Sequence, residues 1–155
     1  REAMVMVGGI LLILAVSLAF TNFLIDAEVP QQLIEWVSTF IESKIAFLIL
    51  LNLLLLALGA ILDIFSALVI MIPLIVPLAL RFDVDPVHLG IIFLANMQIG
   101  YFTPPIGMNL FIASYRFKKP IAELYRATLP FMAVLLVALI VITYVPALSL
   151  FFLDR

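Results

Sequence analysis

Two stretches of this chain combine residues that interrupt a helix with oxygen groups suited to a cation. One runs from Gly59 to Asp63, and the other is residues 100–107, Gly-Tyr-Phe-Thr-Pro-Pro-Ile-Gly. Glycine admits dihedrals outside the helical region, and a proline both lacks an N–H donor and disfavours the helical conformation of the residue before it. The interrupted helix releases backbone carbonyls, which are suited to Na⁺. We therefore expect the two stretches to face each other near mid-membrane and to bind a cation between them. The alternative is two helix kinks that neighbouring side chains fill.

Two side chains in these stretches add chemistry of their own. Asp63 is the only acid in the apolar run 45–80, and ionisable groups inside a bilayer are costly enough to suggest a function. It would neutralise a cation, relay a proton or cap the helix that follows, and these interpretations stay open. Thr103 places a hydroxyl and a carbonyl directly before the two prolines. We favour Thr103 as a site residue.

The remaining polar residues suggest weaker roles. Asn109 adds an amide beside the second stretch, whereas Asn52, Asn96 and Ser66 fit hydrogen bonding between membrane helices better than ligation. His88 is the only histidine, and no second metal ligand is near it in the sequence. We expect His88 to lie at the surface or the membrane interface.

The composition identifies lipid as the solvent. The 155 residues are 66% hydrophobic and 12% charged, with a mean hydropathy of +1.34. Residues 3–25, 45–62 and 129–153 carry no ionised side chain. A water-soluble fold of this length could not bury so much apolar surface. The sequence therefore predicts an all-α integral membrane protein.

Composition also excludes several functions. The chain has no cysteine, which rules out disulfides, thiolate zinc sites and a cysteine nucleophile. Its net charge is -2, with no basic stripe carrying interleaved aromatic residues. Nucleic acid is therefore not an expected partner.

Hydropathy and helix-breaking residues divide the chain into segments. The run 45–80 is too long for one span and is interrupted near Gly59, so it is predicted to be a re-entrant hairpin of two short helices. The full prediction is a transmembrane helix at 4–25, an interfacial helix at 30–43, the hairpin at 45–80, a broken transmembrane helix at 87–115, a loop at 116–127 and a transmembrane helix at 129–152.

Charge predicts the orientation of these segments. The loop 116–127 contains one acid, Glu123, and four bases, which are Arg116, Lys118, Lys119 and Arg126. Short basic loops stay on the cytoplasmic side. The acidic loops around residues 26–28 and 81–85 then fall on the outer face.

Several of these segments together resemble a known family. They are 58–63 (Leu-Gly-Ala-Ile-Leu-Asp), 85–90 (Asp-Pro-Val-His-Leu-Gly) and 100–111 (Gly-Tyr-Phe-Thr-Pro-Pro-Ile-Gly-Met-Asn-Leu-Phe), with Pro73 and Pro77 after the first. The pattern is similar to the second repeat of the large membrane subunit of a tripartite ATP-independent periplasmic (TRAP) transporter. The similarity runs from about Pro30 to Pro146. The resemblance implies one membrane domain, and we expect the chain to be a C-terminal fragment that holds one of two inverted repeats.

The resemblance implies a Na⁺-coupled importer of the elevator type in a bacterial or archaeal cytoplasmic (inner) membrane. Its substrate would be an organic acid such as a C4-dicarboxylate or a sialic acid. Its partners would be a small membrane subunit and a periplasmic substrate-binding protein, with no organic cofactor. By position, the resemblance assigns the sodium ligands to Gly59, Gly100, Thr103 and Ile106. Their neighbours would be Asp63, Ser66, Pro104, Pro105, Gly107 and Asn109.

Other classes fit the sequence less well. Another ion-coupled transporter would share the two helix breaks. An intramembrane aspartyl protease needs two facing aspartates, whereas Asp83 and Asp85 lie in a polar linker. A non-transporting scaffold would not need two breaks that are rich in carbonyls and proline. We therefore expect a transporter and not an enzyme.

Overall fold

The computed structural model describes residues 26–41, 43–62, 64–103, 107–151 and 153, with isolated positions between 4 and 23. Its helices are α1 (Val29–Phe40), α2 (Lys44–Gly59), α3 (Ile64–Arg81), α4 (Pro86–Gly100), α5 (Met108–Phe117), α6 (Ile121–Tyr144) and α7 (Pro146–Leu150). These described residues contain no strand, so the predicted all-α class is confirmed. The helix predicted at 4–25 falls largely outside them.

Helices α2 and α3 run antiparallel, with the first turn of α2 against the last turn of α3. Ser43 caps α2 by accepting a hydrogen bond from the Ala46 N–H at 3.1 Å. At the same end the Lys44 ammonium donates to the Asp83 carbonyl. The Phe47 and Phe82 rings stack there with centroids 4.6 Å apart. The beginning of α2 therefore lies beside the end of α3.

The core is the packing of α2 on α4. Buried residues recur every fourth position on both helices: Phe47, Leu51, Leu55 and Gly59 on α2, and His88, Ile92, Asn96 and Gly100 on α4. Residues four apart lie on one face of a helix, so each series forms a continuous ridge. These two ridges carry the two glycines of the predicted site.

Helix α4 begins at a side-chain cap that fixes its first turn. The Asp85 carboxylate accepts hydrogen bonds from the Val87 N–H at 2.7 Å and the His88 N–H at 3.3 Å. We expect Asp85→Ala to lower the free energy of unfolding by about 1 kcal/mol, because two N–H groups lose their acceptor. Asp85→Asn keeps an acceptor oxygen and should stay close to wild type. Thermal unfolding of the detergent-solubilised protein measures both, and equal destabilisation by the two variants would contradict the capping role.

The polar segment 116–127 differs from its prediction. A loop was expected there, but α5 continues to Phe117 and α6 begins at Ile121. The Lys119 and Glu123 side chains form a four-residue-spaced ion pair at 2.9 Å across the start of α6. Hydropathy marks only the apolar part of a helix, so it misses the polar first turns of α6. Helix α6 ends at Tyr144, before Pro146.

Within the described residues, two helices are long and apolar enough to cross a bilayer. They are α3, with 18 residues, and α6, with 24. Most of their side chains are not buried: on α6, Phe131 is 72% exposed and Val134 is 68% exposed. The core helix of a water-soluble protein would be enclosed instead. Apolar surface of this extent needs lipid or a protein partner to cover it.

Candidate functional site

The predicted site is built on a backbone contact between Gly59 and Gly100. A Cβ atom added to Gly100 would lie 2.5 Å from the Gly59 carbonyl carbon and 2.6 Å from the Gly59 Cα. A Cβ atom on Gly59 would lie 3.2 Å from the Cα atoms of Gly100 and Met97. No side chain fits between these two backbones. Helices α2 and α4 therefore meet through their peptide groups at Gly59 and Gly100.

The contact brings two helix C-termini together. Helix α2 ends at Gly59 and α4 ends at Gly100. The last turn of a helix exposes carbonyl oxygens and carries a partial negative charge of about half an electron. Two such ends side by side make a region of negative potential from backbone groups alone. This arrangement favours a cation.

The turn after α4 adds further oxygen atoms. Thr103 is half-buried, and its hydroxyl donates to the Ile99 carbonyl at 3.0 Å. The Gly100 carbonyl accepts from the Thr103 N–H at 2.9 Å. A carbonyl has two lone pairs, so one accepted hydrogen bond still leaves it able to bind a cation.

Gly107 closes this turn against Thr103. Its φ of 50° lies in the left-handed region, which glycine adopts without strain. A Cβ atom at Gly107 would lie 3.2 Å from the Thr103 carbonyl oxygen. Gly107 therefore lets the chain double back beside that carbonyl.

The other predicted residues divide into two groups. Ser66 and Asn109 lie in the first turns of α3 and α5, and the Asn109 N–H donates to the Tyr101 carbonyl at 3.3 Å. Four predicted residues fall outside the part of the chain that the structure describes: Asp63, Pro104, Pro105 and Ile106. Their roles stay predictions.

A buried polar cluster beside the glycine contact joins three helices. Asn96 of α4 donates to the Asn52 side-chain oxygen of α2 at 2.7 Å. The Thr143 hydroxyl of α6 donates to the same oxygen at 3.3 Å. The interhelical role expected for Asn52 and Asn96 is confirmed. Sequence reasoning missed Thr143, whose only signal was a hydroxyl within an apolar run.

The expectation that His88 lies at a surface is wrong. His88 is only 2% exposed, and its Nε2 lies 3.2 Å from the Thr143 carbonyl. A carbonyl only accepts, so Nε2 carries the proton of this hydrogen bond. Nδ1 lies 2.9 Å from the Ser149 hydroxyl. Both ring nitrogens thus have hydrogen-bond partners on the last two helices, α6 and α7. These partners are 55 and 61 positions away in the sequence, so residues close to His88 in the sequence gave no sign of them.

The described residues limit the chemistry of the site. Among them, no group of three His, Cys, Asp or Glu is placed to hold a metal ion. Asp83 and Asp85 are exposed in the turn between α3 and α4. They therefore do not form the pair of facing aspartates that an intramembrane aspartyl protease needs. The described part of the site offers peptide oxygens, one threonine hydroxyl and two helix C-termini, which are groups that can bind an alkali cation.

Comparison with known proteins identifies the family. The family model described as "Tripartite ATP-independent periplasmic transporter, DctM component" matches residues 1–148. A C4-dicarboxylate TRAP transporter large permease protein DctM of Pseudomonas aeruginosa is 38% identical over 141 residues, which are 91% of this chain and 33% of the relative. The Isethionate TRAP transporter permease protein DctMQ of Oleidesulfovibrio alaskensis is 38% identical over 143 residues, 92% of this chain and 22% of the relative.

A sialic acid relative extends the comparison. The Sialic acid TRAP transporter large permease protein SiaM of Vibrio cholerae is 34% identical over 123 residues, 79% of this chain and 29% of the relative. The chain thus spans about a third or less of the length of these relatives. All three names describe transporter permeases and not enzymes. The chain is a membrane protein of the DctM family, the DctM component of tripartite ATP-independent periplasmic transporters.

Proposed function

We propose that this chain is the cation-binding repeat of a permease that imports an organic acid together with Na⁺. The backbone contact between Gly59 and Gly100 carries the proposal. It joins two helix C-termini at one point, and their carbonyl oxygens and partial charges favour a small cation. We assign Na⁺ to this point as the co-transported ion, with Gly59, Gly100, Thr103 and Ile106 as its ligands.

The substrate we propose is an anion. The relatives are named for isethionate, C4-dicarboxylates and sialic acid, all of which are organic acids. Helices α3 and α5 begin directly after the two breaks, and helix N-termini attract negative charge. At each break, a helix C-terminus with carbonyl groups for the cation is therefore followed along the chain by a helix N-terminus with N–H groups for the anion. This proximity gives a physical basis for coupling, because each bound ion lowers the electrostatic cost of the other.

The assembly we propose is that of a TRAP transporter. A complete large subunit would contain a second, inverted repeat and would lie in a bacterial or archaeal inner membrane. A small membrane subunit and a periplasmic binding protein would complete it. The pair α2–α3 would be its re-entrant hairpin, and the contact between the beginning of α2 and the end of α3 supports this assignment. Transport would follow an elevator movement of the site across the bilayer.

Uptake by the assembled transporter in proteoliposomes tests the cation site through Thr103. We expect Thr103→Ala to raise the Na⁺ concentration for half-maximal uptake roughly five- to tenfold, about 1 kcal/mol of lost binding. The hydroxyl that donates to the Ile99 carbonyl would be gone, and the turn that presents the Thr103 carbonyl would loosen. Thr103→Ser keeps the hydroxyl and should stay within about twofold of wild type.

Thr128→Ala provides the matched control. Its hydroxyl also donates to a carbonyl of its own helix, that of Tyr125 at 2.9 Å, but it lies on α6. Its half-maximal Na⁺ concentration should not change. Uptake that ignores Na⁺ in the wild-type protein, or equal shifts in Thr103→Ala and Thr128→Ala, would contradict the proposed site.

A further inference from the structure

The polar cluster of Asn52, Asn96 and Thr143 borders the glycine contact directly. Asn96 precedes Gly100 by about one helical turn. Its backbone carbonyl oxygen would lie 3.4 Å from a Cβ atom on Gly59. The same residue that binds Asn52 through its side chain thus forms one wall of the contact through its backbone.

The cluster fixes α2 and α4 at a second point. Asn52 precedes Gly59 by about two turns on α2, and its amide nitrogen donates to the Leu48 carbonyl at 2.8 Å. Its oxygen accepts from both Asn96 and Thr143. A glycine contact alone has no directional bond and would allow the helices to rotate or slide. Together with the hydrogen bonds between amides, it defines one relative position of the two helices.

The cluster has a cost that apolar packing would avoid. Asn96 is fully buried, and its side-chain oxygen accepts no hydrogen bond from any described group. An unsatisfied buried acceptor costs about 1–3 kcal/mol. Leucine at this position would avoid that cost but would lose the directional bond to α2. Buried polar groups of this kind serve best as devices that fix register.

We propose that Asn96 and Asn52 are positioning residues for the cation site. They hold α2 against α4 so that the peptide groups of Gly59 and Gly100 stay in contact, and through that contact they set the affinity for Na⁺. The affinity part of this inference rests on the proposed function. The positioning part rests on the geometry of the two helices alone.

Two measurements on the assembled transporter test the proposal with Asn96→Leu. The Na⁺ concentration for half-maximal uptake should rise roughly tenfold, while the maximal rate at saturating Na⁺ stays within about twofold. Hydrogen exchange of the backbone amides of residues 59–62 should accelerate about tenfold as the contact loosens. General damage would instead lower the maximal rate and leave the half-maximal concentration unchanged.

Further variants make the result interpretable. Thr143→Val removes only the longer hydrogen bond to Asn52. It should raise the half-maximal Na⁺ concentration and the exchange rate of residues 59–62 by less than Asn96→Leu does. The double variant Asn52→Leu/Asn96→Leu should exceed the shift of Asn96→Leu by no more than the shift of Thr143→Val. Between helices, the added Asn52→Leu change removes only the hydrogen bond from Thr143, because the bond to Asn96 is already gone. Thr128→Val should change neither measurement.

The outcomes separate this proposal from the proposed function. Unchanged exchange at residues 59–62 in Asn96→Leu, with an unchanged half-maximal Na⁺ concentration, overturns the positioning role. Wild-type uptake that does not depend on Na⁺ overturns the proposed function, and the exchange rates then decide the positioning role alone. If Asn96→Leu does not assemble, Asn52→Leu decides in the same way, because it removes the acceptor of the same hydrogen bond from a half-buried position.

Discussion

Alanine in place of Gly100 is expected to reduce Na⁺-dependent uptake by roughly tenfold or more. The added Cβ atom would lie 2.5 Å from the Gly59 carbonyl carbon and 2.9 Å from the Ala60 nitrogen. Both are backbone atoms, which cannot turn aside as the end of a side chain can. The helices must separate, and the peptide oxygens proposed to share the cation separate with them. Overpacking of this kind costs typically about 1–3 kcal/mol.

Two other glycines form a graded series with Gly100. Gly90 lies on the same helix with no atom within 4 Å of its Cβ position, so Gly90→Ala should keep full uptake and gain slightly in stability. Gly59→Ala would place its Cβ atom 3.2 Å from two Cα atoms and should be intermediate. Uptake at several Na⁺ concentrations, with protein amounts matched in the membrane, measures the series. A Gly100→Ala protein as active as Gly90→Ala would show that the close contact has no role in transport.

The positions of the helix breaks were predictable because their causes are local. A proline pair flanked by glycines acts on the backbone of its own segment, whatever surrounds it. The structure ends α4 at Gly100 and begins α5 at Met108, within the stretch singled out from the sequence. Helix α2 likewise ends at Gly59, the glycine singled out from the sequence, although residues 59–63 contain no proline.

The partners of the buried polar residues were not predictable, because they come from distant parts of the chain. His88 binds Ser149, which is 61 positions away. Thr143 binds Asn52 across 91 positions. A single sequence shows that such residues stand in apolar surroundings, but not which helices pack together. The direct backbone contact of Gly59 and Gly100 belongs to the same class, since only packing reveals that no side chain separates them.

Gly107 ends the turn that begins after α4 and contains Thr103. Gly107→Ala is expected to raise the Na⁺ concentration for half-maximal uptake roughly tenfold. The residue has a φ of 50°, and a side chain in the left-handed conformation costs about 1–2 kcal/mol. The alanine Cβ atom would also press on the Thr103 carbonyl oxygen at 3.2 Å. Relief of either strain moves the carbonyl that we assign to the cation, and about 1.4 kcal/mol corresponds to a tenfold change in affinity.

Lys118 supplies the matched control for this strain. It has a φ of 52° at the other end of α5, where it is exposed. Lys118→Gly relieves the same conformational cost far from Thr103, so it should leave the Na⁺ dependence of uptake unchanged. If Gly107→Ala also keeps the wild-type Na⁺ dependence, the turn tolerates a side chain and the Thr103 carbonyl does not contribute to cation affinity. A shift in Gly107→Ala alone would link the left-handed glycine to the binding of the coupling ion.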